Sequence, residues 1–254
     1  MSWVWMNTTC LIAIAGLLSC PRSSSSPPSA PNVLTEAFQR LSRTFGEVAR
    51  YRQLLIFLIA FWLYNDGIGT IIKMATAVGD EIGIEMSDLI AAILITQFVG
   101  IPCAFAFGRL GRFIGSKRAI LVGLVGYMGI SIGGYFVQTA THFYILAFLV
   151  GTVQGGTQAL SRSLFSTMVP KGRAAEFFGF YSTSSRFAGI IGPLIFGIVS
   201  QFTGTSRHGI IALTVLFVSG AVLLMAVDEK EGRRVAVEAD RDADADHQGD
   251  DDQT

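Results

Sequence analysis

YRQLLIFLIAFWLYNDGIGTIIKM, Tyr51 to Met74, is the stretch whose reading decides the fold. From Gln53 to Ile72 it is long and apolar enough to cross a bilayer as a helix. About 20 residues rising ~1.5 Å each match the ~30 Å of a hydrocarbon core. One feature is out of place in a simple anchor: Asn65-Asp66-Gly67, with Gly69 two residues on. An ionisable carboxyl well inside a span costs roughly 2.5–3.5 kcal/mol on the insertion scale. Two glycines beside it loosen the helix there. An anchor has no use for that cost, whereas a pathway for a polar solute or a proton does.

The rest of the chain supports the membrane reading. Of 254 residues, 51% are hydrophobic and 15% charged, and the mean hydropathy is +0.51. The apolar residues come in runs of about 18 or more, not in alternating or 3.6-residue patterns. The net charge of zero gives no basic field for nucleic acid, so no nucleic-acid partner is expected. The three cysteines, Cys10, Cys20 and Cys103, form no disulfide framework, and no pair has metal-ligand spacing. His142, His208 and His247 are scattered outside the apolar runs or at their ends. No phosphate loop, nucleophile elbow or zinc signature is present, so neither an enzyme, a cofactor nor a metal is expected.

Six spans follow by hydropathy, near 53–72, 89–107, 119–137, 143–160, 177–202 and 210–227. Residues 1–35 hold a moderately apolar segment and then PRSSSSPPSAP, a flexible linker by composition. The apolar part reads as a signal, as the remnant of a helix, or as a miscalled start. Residues 36–52 are a mostly basic approach to the membrane, and 228–254 read as a disordered acidic tail. Between spans, 73–88 is an acidic loop in which Ser87 is placed to cap the second span. GRLGRFIGSKR (108–118) carries four positive charges, and a basic loop follows the fourth span. These segments alternate along the chain. Six helices with both termini in the cytoplasm put every basic loop inside, in a plasma (inner) membrane protein.

Three stretches then become specific: LYNDGIGTIIKMATAVGDEIGI (63–84), GTVQGGTQALSRSLFSTMVP (151–170) and EFFGFYSTSSRFAGIIGPLIFG (176–197). With the basic loop they resemble the C-terminal half of a major facilitator superfamily transporter of the vacuole effluxer-like branch, the unknown major facilitator family. The resemblance covers roughly residues 36–228. It implies an all-α integral membrane fold, six transmembrane helices forming the C-terminal six-helix bundle of a twelve-helix protein. It also implies alternating access and transport of a small solute, with amino acid efflux from vacuoles the best-known role. The N-terminal six helices are absent from this sequence; a separate half or a second copy of the chain would complete it. The cytoplasmic loop motif maps to Gly108, Arg112, Gly115, Lys117 and Arg118. It departs from the family at its fifth and sixth positions, where an acid and a base are usual and Arg112 and Phe113 stand. That acid helps lock the cytoplasmic gate, so the departure puts the lock in doubt.

The candidate solute- or ion-contacting residues are Asn65, Asp66, Gln154, Gln158 and Arg186. A carboxyl buried in a bundle can take up and release a proton. Gln154 and Gln158 lie one helical turn apart, and an amide stripe must face protein or water. Amides both donate and accept, which suits a polar solute. Arg186, roughly 13 Å into its span, is a candidate partner for Asp66, roughly 20 Å in from the same side. Structural readings compete with each of these: an interhelical hydrogen bond for Asp66 and the glutamines, and snorkelling for Arg186. Gly129 with Gly133, Gly151 with Gly155, and Gly192-Pro193 are candidate packing positions. The competing reading of the whole is a non-transporting scaffold subunit or an inactive fragment of a transporter gene.

Overall fold

The computed structural model describes residues 51–251 together with Gly46 and Val48. The expectations for residues 1–35, and nearly all of those for 36–52, lie outside the described residues. Among the described residues, six helical stretches are long and apolar enough to cross a membrane. They comprise α1 (Arg52–Ile82), α2 (Met86–Ile114), α3 (Ser116–Tyr135) and α4 (Ala140–Thr167). The fifth is a broken span: the 3₁₀ turn Lys171–Arg173, α5 (Ala174–Ala188) and α6 (Ile191–Thr203). The sixth is broken at Leu213 into α7 (Ser206–Ala212) and α8 (Thr214–Ala226), and α9 (Glu229–Asp251) follows.

Several helices run on past their apolar runs. The acidic segment expected as a loop over 73–88 is helical to Ile82. Gly83, at φ 78°, ends it. Its N–H bonds to the carbonyl of Asp80 at 3.0 Å and that of Ile84 to Gly79 at 2.9 Å, the paired closure of a left-handed C-cap. Ser87 does not cap α2. Its hydroxyl donates to the Glu85 carboxylate at 3.3 Å, and Glu85 itself is the N-cap residue. The basic segment 108–118 is likewise not a loop. Arg112 lies in the last turn of α2, Lys117 in the first turn of α3, and Gly115 at φ 91° makes the corner alone.

The tail differs most from expectation. Its first part, read as disordered, is helical and packed. Gly232 is seated on Met168, Ala236 is 3% exposed, and the charged residues Lys230, Arg233, Arg234 and Glu238 face solvent. Small residues at 232, 236 and 239 give α9 a face that the bundle covers.

Helix α1 runs through the middle of the core, with Leu54, Phe57, Phe61, Tyr64 and Ile68 buried. One side packs on α8, where Phe217 covers Gly67 and Gly220 admits Tyr64. Another packs on α4 and α5 through rings: Phe57 with Phe165 at 6.4 Å, Phe61 with Tyr181 at 4.4 Å. Between α2 and α4 the backbones nearly touch. A Cβ on Gly151 would lie 2.8 Å from the Thr96 carbonyl, and one on Gly155 2.6 Å from that of Gly100. Thr96 hydroxyl adds a bond across this seam to the carbonyl of Ala147, 3.0 Å. Gly129 is not part of any such approach. It is exposed, with no atom within 4 Å of an added Cβ, and Gly133 makes ordinary contact with Leu146 alone. The close approach of α3 to α4 falls instead at Gly123 and Gly126, under Thr157 and Val153.

Candidate functional site

The break in the fifth span builds the site. Proline has no N–H, and its ring collides with the carbonyl four residues back. For Pro193 that carbonyl belongs to Gly189, and the helix stops there. It restarts at Ile191, placing Pro193 in the first turn of α6, where no intrahelical N–H bond is required. The first turn of α6 is left with free N–H groups inside the bundle, and a buried donor without a partner costs ~1–3 kcal/mol.

Asp66 supplies the acceptor from α1. It is 3% exposed, and its Oδ2 accepts from the Gly192 N–H at 2.6 Å. A carboxylate on a helix N-terminus is favoured by both hydrogen bonding and the helix dipole. The second oxygen, Oδ1, is buried and meets no geometric hydrogen-bond partner among the described residues. Thr70, one turn along α1, donates to the Asp66 carbonyl at 2.8 Å. A side chain at Gly192 would strike Thr70 Oγ1 and come within 3.0 Å of Asp66 Oδ1, so only glycine lets α6 approach. Lys73 lies within electrostatic reach of the carboxylate, its Nζ 3.9 Å from where a Gly189 Cβ would be. Thus α1 presents a carboxylate to the start of α6 and an ammonium near the end of α5.

This arrangement replaces the Asp66–Arg186 pair considered from depth alone. Arg186 is exposed and makes no ion pair among the described residues. The broken helix satisfies Asp66 Oδ2 with backbone, leaving the guanidinium free of it. Asn65 is half-buried beside Asp66.

The amide stripe lies on α4. Gln154 is 7% exposed with its Oε1 unpartnered among the described residues, and Gln158 is half-buried. Ser161 extends the stripe: its hydroxyl donates to the Thr157 carbonyl and meets the Tyr64 hydroxyl, both at 2.6 Å. Since α1 and α4 are antiparallel, the Tyr64–Ser161 contact sets their register. It brings Gln158 to the level of Asn65 and Asp66, and Gln154 about a turn nearer the acidic end. Arg162 is exposed next to this layer.

Sequence reasoning missed several participants. Trp62 Nε1 donates to Ser184 at 3.1 Å, tying α1 to α5 below the break. Trp62 and Tyr64, close before Asp66 in the sequence, each carry a polar tip that a buried position must satisfy, and that was the available signal. Gln97 is exposed within α2, a lone amide in a span.

An all-helical bundle of six candidate spans with a buried carboxylate and amides at one level defines an integral membrane protein, folded as one half of a major facilitator transporter. The family model described as "Vacuole effluxer Atg22 like" matches residues 1–237, and the chain belongs to this family. Among relatives, the MFS-type transporter YxiO of Bacillus subtilis (strain 168), described as uncharacterized, is 42% identical over 206 residues. That match covers 81% of this chain and 48% of the relative. Autophagy-related protein 22 of Yarrowia lipolytica is 28% identical over 220 residues, 80% of this chain and 36% of the relative. The protein of the same name from Candida glabrata is 28% identical over 212 residues, 77% and 39%. The chain thus spans about half the length of these relatives or less.

Proposed function

We propose that this chain is one six-helix half of a secondary transporter that moves a small polar solute, amino acids being the first class to test, by alternating access. The observation that carries the reading is the buried Asp66 carboxylate set against a break in the fifth span. Discontinuous spans place helix ends and free backbone groups at mid-membrane, where transporters bind solutes and ions. In this reading Asp66 takes up the coupling proton, and Asn65, Gln154, Gln158 and Arg186 contact the solute. The basic end of the bundle, with Arg112, Lys117, Arg118, Lys171 and Arg173, faces the cytoplasm of an inner membrane, and both termini lie there. A second six-helix half, or a second copy of this chain, supplies the opposite wall of the cavity.

The test is flux of a labelled amino acid mixture in proteoliposomes across an imposed proton gradient. The chain is assayed alone, with a second six-helix half, and as Asp66→Asn. Gradient-driven flux that Asp66→Asn abolishes is the expected result. Absence of flux from folded protein in every combination, with a broad mixture of polar solutes, would instead support a non-transporting scaffold.

A further inference from the structure

The loop motif lacks its acid at Arg112, yet carboxylates reach this end of the bundle from elsewhere. Helix α9, with Asp228 just before it, crosses beneath it and meets the inner ends of α3, α1 and α4 and the turn that leads into α5. At α3, Glu229 Oε1 accepts from the Lys117 N–H at 2.9 Å, a first-turn donor. The Lys117 ammonium turns the other way and donates to the carbonyls of Met225 and Val227, at 2.9 and 2.6 Å. These are orphan carbonyls at the end of α8. At α1, the Asp228 N–H bonds to Gln53 Oε1 at 2.9 Å. At the 3₁₀ turn that leads into α5, the Asp240 carboxylate accepts from the N–H groups of Lys171 and Gly172, at 3.1 and 3.4 Å. Between these points Gly232 sits against Met168 at the end of α4, where a Cβ would be 2.5 Å from Cε.

The contacts differ in how easily they part. The Lys117–Glu229 contact is partly buried and is backed by the Lys117 ammonium bonds. The Asp240 contacts are exposed, at the far end of the packed part of α9, and they hold the turn that leads into α5. Water competes readily for exposed hydrogen bonds. Helix α3 is therefore fixed to α9 firmly, and the end of α8 to α3 through the Lys117 ammonium, whereas α1, through the exposed Asp228 N–H bond, and the turn into α5 are held lightly.

We propose that α9 is a strap across the basic end of the bundle, anchored by Glu229 at Lys117, which closes that end by holding α5 through Asp240 and opens it by letting go. The proposal rests on the transport reading above and adds that the broken fifth span is the part that moves against α1.

The seam between α1 and α5 reports the movement. Ser184 is 8% exposed there, bonded to Trp62. Ser184→Cys, in the full chain with Cys10, Cys20 and Cys103 changed to serine, is labelled with an impermeant maleimide added to the basic side of membrane vesicles. Adding Asp240→Asn should raise the labelling rate about fivefold, the population change for loss of roughly one net hydrogen bond. Glu238→Gln removes a carboxylate from the solvent face of the same helix and should leave the rate unchanged. A disulfide between Gly172→Cys and Asp240→Cys should suppress labelling, and reduction should restore it. An unchanged rate in Asp240→Asn, an equal rise in Glu238→Gln, or labelling indifferent to the disulfide would each overturn the strap. Labelling requires no solute. A strap effect without flux in any combination would sink the transport reading and leave the strap standing.

Discussion

Two seams run through this bundle, and they are built from opposite materials. Between α2 and α4 the helices meet backbone to backbone over glycines, with added Cβ atoms at Gly151 and Gly155 falling 2.8 and 2.6 Å from carbonyl oxygens. Between α1 and the fifth span the helices meet through rings and two polar ties, Trp62–Ser184 and Asp66–Gly192, with Gly192 seated against Thr70. The first seam has no alternative packing, because close-packed backbone deforms little. The second contains a helix that has already stopped and restarted, so rotation about Gly189–Ile190 breaks no further ladder bonds. One seam makes α2 and α4 a single rigid piece, and the other makes α5 and α6 two pieces joined at a charged hinge.

Substitutions break this comparison in order of size. Gly155→Leu forces side-chain atoms into the Gly100 carbonyl. We expect a loss of about 3 kcal/mol or more and no monodisperse protein on detergent size-exclusion chromatography. Gly192→Ala places a methyl on Thr70 Oγ1 and Asp66 Oδ1 but lies at the hinge, where the chain can give. The expected loss is about 1–3 kcal/mol by thermal unfolding, partly restored by adding Thr70→Ala. Asp66→Asn keeps an acceptor for the Gly192 N–H and removes the charge from the helix end. A loss of only about 0.3–1 kcal/mol is expected, with gradient-driven flux abolished. A larger drop in stability than for Gly192→Ala would show that the charge, not the fit, holds α6. Gly129→Ala meets nothing within 4 Å and removes a helix-interior glycine. It should be neutral, or stabilising by up to about 1 kcal/mol, in the same assay.

The spans and a buried carboxyl at Asp66 were legible because both are matters of solvent. A chain crossing hydrocarbon as helices needs long apolar runs, and a carboxylate inside one stands out. What Asp66 touches was not legible from depth, since depth ranks charged partners and ignores backbone. The proline at 193 did carry the information. Its forbidden carbonyl is Gly189, and an interrupted helix needs an acceptor at its restart. Gly129 and Gly133 have the same spacing as Gly151 and Gly155, yet only the second pair meets a neighbouring backbone. Spacing places two residues on one face without saying which helix that face meets. The tail misled by composition: its acidic charge hid the stripe Gly232, Ala236, Ala239 that lets α9 lie against the bundle.

The most direct test of the two-seam account is a pair of spin-label distances in the same reconstituted protein, with Asp66 and with Asp66→Asn. Ile59 and Ser182, exposed on α1 and α5, report the hinged seam; Arg112 and Ser166, exposed on α2 and α4, report the rigid one. The account predicts that the Ile59–Ser182 distribution shifts or broadens on loss of the Asp66 charge while the Arg112–Ser166 distribution stays put. Equal movement of both pairs, or movement of the second alone, would contradict it.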